Sequence, residues 1–333
     1  MTLLVAGFLV IALSAYVLFG GADFGAGILE TALTDRAQKK KLQDVLAPIW
    51  EANHVWLIAV VVILFVGFPR FYSLAMTRLY LPISLALLGI LIRGTAFTLR
   101  KYDPAAPSWR RFYSALFRLS SLITPFFFGF VVAGLLAKHP GAPLQPPQGN
   151  YKELYVDPWF TPFGFSCGVF VCCLFAYLAA VFFYGELASD DDKAELRRRM
   201  VAFFAATFLS GGGVLAAGEM SGLVPWPSFG ATQAACQLSA ALATFWFFRS
   251  LRGGDSWSMR FAAGVQVLSI LVGWFSTQYP TLLRFESGAL TLTAAAAPAV
   301  TQLWLLIGLV VVLAAVVPLL VVLYRVFDSS ETH

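Results

Sequence analysis

The chain has 333 residues, of which 59% are hydrophobic and only 12% are charged. A soluble globular domain carries about 25% charged residues, so this composition excludes an ordinary soluble protein and indicates a chain that crosses a membrane several times. The net charge of +5 does not indicate nucleic-acid binding, because most basic residues lie in short loops beside apolar segments, where they set membrane topology.

Nine segments are apolar enough, over about 20 residues each, to span a bilayer as helices. The sequence therefore predicts an all-α integral membrane protein with nine transmembrane helices, and we expect no cleavable signal peptide. The Ala- and Thr-rich segment 287–301 fits a loop, a re-entrant piece or an early start of the last helix. The nine predicted helices cover residues 3–29, 53–72, 79–99, 114–137, 160–185, 200–220, 231–249, 258–279 and 302–325.

The basic residues predict the orientation of these helices. If the amino terminus lies outside, 16 of the 23 Lys and Arg residues fall in inner loops and 5 in outer loops, while Arg93 and Arg118 lie within helices. Cytoplasmic loops carry an excess of Lys and Arg. We therefore expect the amino terminus outside and the carboxyl terminus inside.

Two short clusters place carboxylates inside or at the edge of predicted membrane helices. The first, 20–27, is a glycine-rich run around Asp23, and the second, 50–56, contains Glu51 between two tryptophans. A charge in hydrocarbon costs several kcal/mol, so an intramembrane acid is a candidate functional residue. Structural roles stay open: Asp23 could be an ion-pair partner only, and Glu51 could simply favour the positive end of a helix dipole.

The predicted topology places three charged side chains at a similar depth. At 1.5 Å per residue, Asp23 lies about 30 Å below the outer start of helix 1, and Arg93 lies about 21 Å below that of helix 3. Glu51 precedes the first apolar stretch of helix 2, which begins on the inner side. Arg93 could therefore neutralise Asp23 or Glu51, while Asn53 could satisfy their lone pairs. Two acids with water between them could form a proton relay.

Histidines are sparse in the predicted membrane helices. His54 lies one turn from Glu51, and no second His falls in a predicted helix, so a bis-His haem site or a protein-only metal site is not expected within this chain. The sequence also lacks a P-loop, a dinucleotide-binding fingerprint and an HExxH motif. His54, Glu219 and Gln278 form a secondary set of polar candidates, although the Trp and Tyr beside Gln278 are equally typical of an interface belt.

Four stretches carry motifs that fall in a fixed order along the chain. Residues 21–29 match G-[FA]-D-[LFM]-G-x-G-x-L, and residues 49–57 contain W-[DE]-x-N-x-V-W-L. Residues 93–100 match R-x-x-x-F-x-x-R, and residues 273–280 match G-W-x-x-x-Q-Y-P. Together they resemble the signatures of subunit II of cytochrome bd-type quinol oxidases, including the cyanide-insensitive type. Since order, spacing and helix placement agree, the resemblance spans essentially the whole chain.

The resemblance implies two four-helix bundles and one peripheral helix. Residues 1–137 would then form the first bundle, with helices 1–4, and residues 160–280 the second, with helices 5–8. Residues 138–159 would be an outer loop. Residues 281–333 would contain an outer segment, the peripheral ninth helix and a cytoplasmic tail.

The resemblance also implies the function of a non-haem subunit in a bd-type quinol:dioxygen oxidoreductase of the respiratory chain, in the bacterial cytoplasmic (inner) membrane. The chain would form a heterodimer with a haem-bearing subunit I, which holds b- and d-type haems and the quinol site and reduces dioxygen to water. This chain would bind no haem itself. A bound quinone or lipid and a small single-helix accessory subunit stay open, and no nucleic-acid partner is expected.

Residue roles follow from the same resemblance. Glu51 stands where the family has an acid at the inner mouth of a proton path, and Glu in place of the commoner Asp lengthens the arm that carries it. Asp23 is the acid of the glycine motif, and the resemblance implies that this acid either conducts protons or has a structural role only. Arg93, Asn53 and Arg100 are expected as charge partners or structural residues.

Two other functions are compatible with these residues. A stand-alone proton-coupled transporter would also use paired intramembrane charges, although no clear internal repeat with broken helices is found. A scaffold subunit, whose acids only lock helix packing, is the third reading. A haem-absorbing partner that purifies with the chain would separate the oxidase subunit from the transporter.

Overall fold

The structure is a computed structural model that describes residues 1–102, 107–143, 149–224 and 230–330. Within these ranges, the description does not include the side chains of residues 36, 46–52, 101–102, 107–108, 316–317 and 320–330. The helices are α1 (Thr2–Ala32), α2 (Arg36–Val62, continued by a π-helical turn at Ile63–Gly67), α3 (Pro69–Arg78), α4 (Tyr80–Tyr102), α5 (Pro107–Leu136), α6 (Tyr151–Tyr155), α7 (Pro162–Tyr184), α8 (Asp190–Met220), α9 (Ala231–Gly253), α10 (Ser256–Gln278), α11 (Leu292–Ala295) and α12 (Ala299–Ser330).

Six helices in the described part of the chain are long and apolar enough to cross a membrane. The bent pair Asn53–Gly67 and Pro69–Arg78 makes a seventh if it is one span, and Ala299–Ala315 is a shorter apolar helix. The expected membrane character agrees with this result, whereas the count of nine spans and their orientation stay predictions. The six helices are Thr2–Ala32, Tyr80–Arg100, Trp109–Leu136, Pro162–Tyr184, Asp190–Met220 and Ser256–Gln278.

The predicted helix 53–72 is wrong as a single straight span. Its two helical parts meet at an angle of 112°, and Phe68 at the junction has φ −134° and ψ 57°, outside the helical region. The ring of Pro69 explains the break, because a proline clashes with a helical conformation of the residue before it. The helix also starts earlier than predicted, since Asp35 caps it by accepting hydrogen bonds from the amides of Ala37 and Gln38.

Helix α1 packs against α2, α5 and α7, and its residues 20–27 are all buried. A Cβ atom at Gly25 would overlap the backbone of Phe175 on α7. Glycine at this position therefore lets the two helix backbones approach closely, as small residues do at membrane helix contacts. This close packing encloses Asp23, two residues earlier on α1.

The described part of the chain is mostly helical, as expected for an all-α membrane protein, and it also contains one small three-stranded sheet. The sheet consists of β1 (Lys138–His139), β2 (Thr281–Phe285) and β3 (Gly288–Thr291), in the order β1-β2-β3. Strand β1 pairs in parallel with β2, and β2 pairs with β3 as an antiparallel hairpin. The sheet therefore joins the segment after α5 to the segment after α10.

Part of the segment 287–301 belongs to this sheet. It contains β3 and the single turn α11, and the last helix begins only at Ala299, so none of the three sequence readings describes it fully. Leu283, Leu290 and Leu292 are buried beneath the hairpin, and their burial stabilises strands in a stretch whose Ala and Thr content had indicated no element clearly.

His139 in β1 is completely buried beside the sheet. Its Nε2 atom lies 2.9 Å from the carbonyl oxygen of Gly134, and its ring centroid lies 5.7 Å from that of Phe285. Burial lowers the pKa of His139 from 6.5 to about 4, and the positive charge of Arg78 acts in the same direction. Because desolvation disfavours the charged imidazolium, His139 is neutral near pH 7.

Candidate functional site

A buried ion pair joins α1 to α4 at the centre of the candidate site. The Arg93 Nη1 atom donates to Asp23 Oδ2 at 2.9 Å, and Nη2 lies 2.9 Å from Asp23 Oδ1. The side chains are each only 2% exposed. Of the two partners that the sequence left open for Arg93, the structure therefore joins it to Asp23.

Further contacts hold the Arg93 guanidinium in a fixed plane. Nη2 donates to the backbone oxygen of Asp23 at 2.5 Å, and Nε donates to Ser121 Oγ at 3.0 Å. The guanidinium carbon lies 4.9 Å from the ring centroid of Phe24 and 4.7 Å from that of Phe117. A guanidinium suits such a site because it forms bidentate hydrogen bonds and stacks on aromatic rings at the same time. The pair therefore offsets much of the cost of two charges in the membrane.

A cavity of about 10 Å³ lies beside the ion pair. Asn53 and His54 of α2 line it together with Asp23 and Arg93, and Tyr16 of α1 is also part of its wall. Asn53 lies within hydrogen-bonding reach of the Asp23 carboxyl, and His54 is close enough to act on its charge. Helix α2 thus brings Asn53 and His54, which follow Glu51 in the sequence, to the acid of α1.

A second buried ion pair lies on the same two helices. Arg100 Nη2 donates to Glu30 Oε2 at 2.8 Å, and the two side chains are 8% and 4% exposed. The Arg100 guanidinium carbon lies 4.9 Å from the ring centroid of Phe117, against which Arg93 also packs. Sequence reasoning did not single out Glu30, yet it follows Asp23 by seven residues, as Arg100 follows Arg93. Seven residues are two helical turns, so this spacing signals one face on each helix.

Glu51 is part of helix α2, and the structure describes its backbone but not its side chain. It precedes His54 by three residues, and residues three apart share one face of a helix. The backbone therefore puts Glu51 one turn from a residue that lines the cavity.

The remaining candidates lie away from this cavity. Gln278 is buried, and its Nε2 atom donates to the carbonyl oxygen of Leu135 at 3.4 Å, whereas Glu219 is exposed. Neither is among the described residues that line the cavity. The structure therefore does not join His54, Glu219 and Gln278 into one secondary site.

The two described histidines in the folded part of the chain have different surroundings. His54 lines a cavity of only about 10 Å³, and His139 is enclosed between Gly134 and Phe285. Within the described ranges, no group of three or more His, Cys, Asp or Glu side chains could hold a metal ion. The chemistry that the described side chains of this site support is charge pairing and hydrogen bonding.

Comparisons with known proteins agree on one family. The family described as cytochrome bd terminal oxidase subunit II matches residues 1–327. Cytochrome bd ubiquinol oxidase subunit 2 of Bacillus subtilis is 31% identical over 122 residues, which are 36% of this chain and 36% of that protein. Cytochrome bd-I ubiquinol oxidase subunit 2 of Escherichia coli K12 is 28% identical over 162 residues, which are 47% of this chain and 41% of that protein.

The fold agrees with the same family. A chain in the structure of bd oxidase from Geobacillus thermodenitrificans superimposes with a TM-score of 0.77 at 20% sequence identity, and the match covers 98% of both chains. The sequence matches to the curated relatives span less than half of their length, whereas the family match extends over nearly the whole of this chain. The chain belongs to the family of cytochrome bd terminal oxidase subunit II.

Proposed function

We propose that the chain is the non-haem membrane subunit of a bd-type quinol:dioxygen oxidoreductase. Membership of the subunit II family supports this proposal, and it favours an oxidase subunit over a stand-alone transporter. In the proposal, the chain forms a heterodimer with a haem-bearing subunit I, which holds the b- and d-type haems and oxidises quinol. The narrow surroundings of His54 and His139 are consistent with haems that belong to the partner.

The proposed setting is the bacterial cytoplasmic membrane, with nine spans, the amino terminus outside and the carboxyl terminus inside. The excess of Lys and Arg in the predicted inner loops supports this orientation. The proposed division into two four-helix bundles, 1–137 and 160–280, and a peripheral last helix rests on the family resemblance. Lipids surround the spans, and the family setting allows a small accessory subunit and a bound quinone or lipid on this chain.

The proposed role of the site is proton uptake from the cytoplasmic side for the reduction of dioxygen to water. Glu51 receives the proton near the start of the apolar part of α2, and Asp23 supports or continues its transfer. The observation that carries this proposal is the burial of Asp23 beside a cavity that His54, one turn from Glu51, also lines. Arg93 balances the charge of Asp23, so that the acid is tolerated at this depth.

The test is a Glu51→Gln variant in the assembled complex, with oxygen consumption and haem content measured together. We expect slow turnover at full haem content, because glutamine cannot release a proton at physiological pH. Glu186→Gln is the matched control, since Glu186 is part of a partly exposed ion pair with Arg260 and lies outside the cavity wall. Wild-type turnover of the Glu51 variant would contradict its role in proton uptake.

A further inference from the structure

Three side chains around the cavity bury polar atoms that have no hydrogen-bond partner in the protein. These atoms are Tyr16 Oη, Asp23 Oδ1 and Asn53 Oδ1, and their residues are 6%, 1% and 2% exposed. Asp23 Oδ1 also lies 2.9 Å from Arg93 Nη2, which balances its charge, and a carboxylate oxygen has a second lone pair that can accept from a further donor. All three residues line the same cavity.

The size of the cavity matches one water molecule. Its volume of about 10 Å³ is close to that of one water-sized sphere, and a buried water typically makes two to four hydrogen bonds. Buried polar groups without a partner are rare in proteins, because the group loses its solvation and gains nothing in return. Three such groups around one cavity of this size therefore point to a shared ligand that both donates and accepts.

We propose that this cavity is a binding site for a single water molecule held by Tyr16, Asp23 and Asn53, and that Tyr16 orients it to relay protons: the water receives a proton taken up from the cytoplasmic side and passes one of its own to the Asp23 carboxylate, so that it remains water. The second half of this statement rests on the proposed function, whereas the water site does not. His54 and Arg93 also line the cavity, together with the apolar side chains of Phe24, Leu57 and Ile90. Among the described residues, the charged and titratable groups that face the water are therefore Tyr16, Asp23, His54 and Arg93.

Local structure explains why Tyr16 reaches this site. Tyr16 precedes Asp23 by seven residues on α1, so the two lie on one face, and the side chain of Asp23 tilts toward the amino end of the helix, where Tyr16 lies. The Tyr16 ring packs edge-on against Phe128, with centroids 5.9 Å apart. Its hydroxyl can donate and accept at once, which a residue that orients a proton-carrying water needs.

Glycine makes room for the third side chain. A Cβ atom at Gly20 would come within 3.0 Å of Asn53 Oδ1 and 3.2 Å of its Nδ2. The glycine-rich run of α1 therefore admits the amide of α2 into the wall of the cavity as well as allowing α7 to pack closely.

The first experiment is a map of the wild-type complex at a resolution that shows other buried waters. We expect density in the cavity within about 2.6–3.2 Å of Tyr16 Oη and Asp23 Oδ1, the usual range for such hydrogen bonds. A map that shows waters at comparable buried sites but none here would overturn the water site. This measurement needs no variant, so it does not depend on whether a variant folds.

The second experiment compares Tyr16→Phe with Tyr177→Phe in the assembled complex. Tyr177 is a matched control because it is also a buried tyrosine, and its hydroxyl donates to Gln266 Oε1 at 2.8 Å in a different hydrogen-bonded group. We expect Tyr16→Phe to lower oxygen consumption about two- to tenfold, as expected for one lost hydrogen bond in the rate-limiting transfer, and to raise the solvent deuterium isotope effect. Tyr177→Phe should change neither quantity.

The outcomes separate the two proposals. An unchanged rate and isotope effect in Tyr16→Phe, with water density present in the wild type, would overturn the role of Tyr16 while leaving the water site. If Glu51→Gln also has wild-type turnover, the proposed proton uptake through this chain fails as well. A slow Tyr16→Phe variant with full haem content and a raised isotope effect supports both.

Discussion

Replacing Arg93 by alanine tests whether the buried ion pair holds α1 and α4 together. The substitution removes contacts of 2.9 Å to Asp23 Oδ2, 2.5 Å to the Asp23 backbone oxygen and 3.0 Å to Ser121 Oγ. It also leaves the carboxylate of Asp23, a residue that is only 1% exposed, without a positive charge to balance it. We therefore expect severe destabilisation and a low yield of assembled complex.

The magnitude follows from the geometry of the pair. Unit charges 2.9 Å apart attract by about 6 kcal/mol at an effective dielectric constant of 20, which gives the scale of their direct attraction. Removing one partner of a buried pair typically costs about 3–5 kcal/mol. Because domains are stable by only about 5–15 kcal/mol, such a loss removes a large part of the total. An unfolding entropy of about 2.1 cal/mol/K per residue gives about 0.7 kcal/mol/K for 333 residues, so a loss of about 3–5 kcal/mol should lower the midpoint by roughly 4–7 °C.

A double variant distinguishes lost charge balance from lost packing. Asp23→Asn combined with Arg93→Gln removes both charges and keeps amides that can form hydrogen bonds. We expect it to be more stable than either single variant, with a coupling energy of about 2–3 kcal/mol. The assay is the thermal unfolding midpoint and yield of the purified complex. The reasoning is refuted if Arg93→Ala unfolds at the wild-type temperature, or if the double variant is less stable than both single variants.

Three further predictions concern the second ion pair, the α1–α7 contact and the buried histidine. Glu30→Gln should lower the free energy of unfolding by about 3 kcal/mol, the lower end of the range for a broken buried pair, because it leaves the buried charge of Arg100 unbalanced. An unchanged melting temperature would contradict this. Gly25→Ala should lose at least about 3 kcal/mol, since its methyl group would overlap the α7 backbone, whereas Gly7→Ala on the same helix, where the added Cβ meets nothing within 4 Å, should melt like the wild type. Because burial lowers the pKa of His139 to about 4, the unfolded chain binds a proton there from about pH 6.5 downward and the folded chain does not. The contribution of His139 to the free energy of unfolding is therefore constant above pH 6.5 and falls by about 3 kcal/mol as the pH is lowered toward 4. The melting temperature of His139→Gln should depend less on pH over this interval than that of the wild type. An equal dependence would contradict a neutral, buried His139.

The sequence predicts the depth of the charged residues better than their partners. Helical rise alone predicts that Asp23 and Arg93 lie at a similar depth, because a rigid helix converts residue number into distance, and the ion pair between them agrees with this. Which acid pairs with Arg93 depends on how each helix is rotated about its axis. Helix α1 is apolar on nearly all its faces around Asp23, so the spacing of its apolar residues does not tell how the helix is rotated about its axis. The choice between Asp23 and Glu51 as the partner of Arg93 therefore needs the packed structure.

Glu30 shows a signal that was present in the sequence. It lies near the predicted end of helix 1, where a charge is ordinary, so its position alone does not draw attention. The repeated spacing of seven residues in both α1 and α4 is the informative feature, because it places both acids and both arginines on facing helix surfaces. The roles of Glu51 and Asp23 in proton transfer stay predictions.

The length and hydropathy of the apolar segments could not predict the three strands or the bend at Phe68. Strand β1 has two residues and pairs with a segment far along the chain, so no local periodicity can reveal it. The bend could have been predicted only by treating Pro69 as a helix break inside an apolar run. The proline acts locally, through a steric clash with the residue before it.

The pairing of Lys138 with Arg284 has a consequence for biosynthesis. Since the ribosome makes the chain from its amino end, β1 has no partner until α10 and β2 have been synthesised. A nascent chain that stops before residue 281 keeps the edge of β1 open to water and to proteases, which favour unprotected segments. The sheet can therefore close only after both segments of the polypeptide have been synthesised.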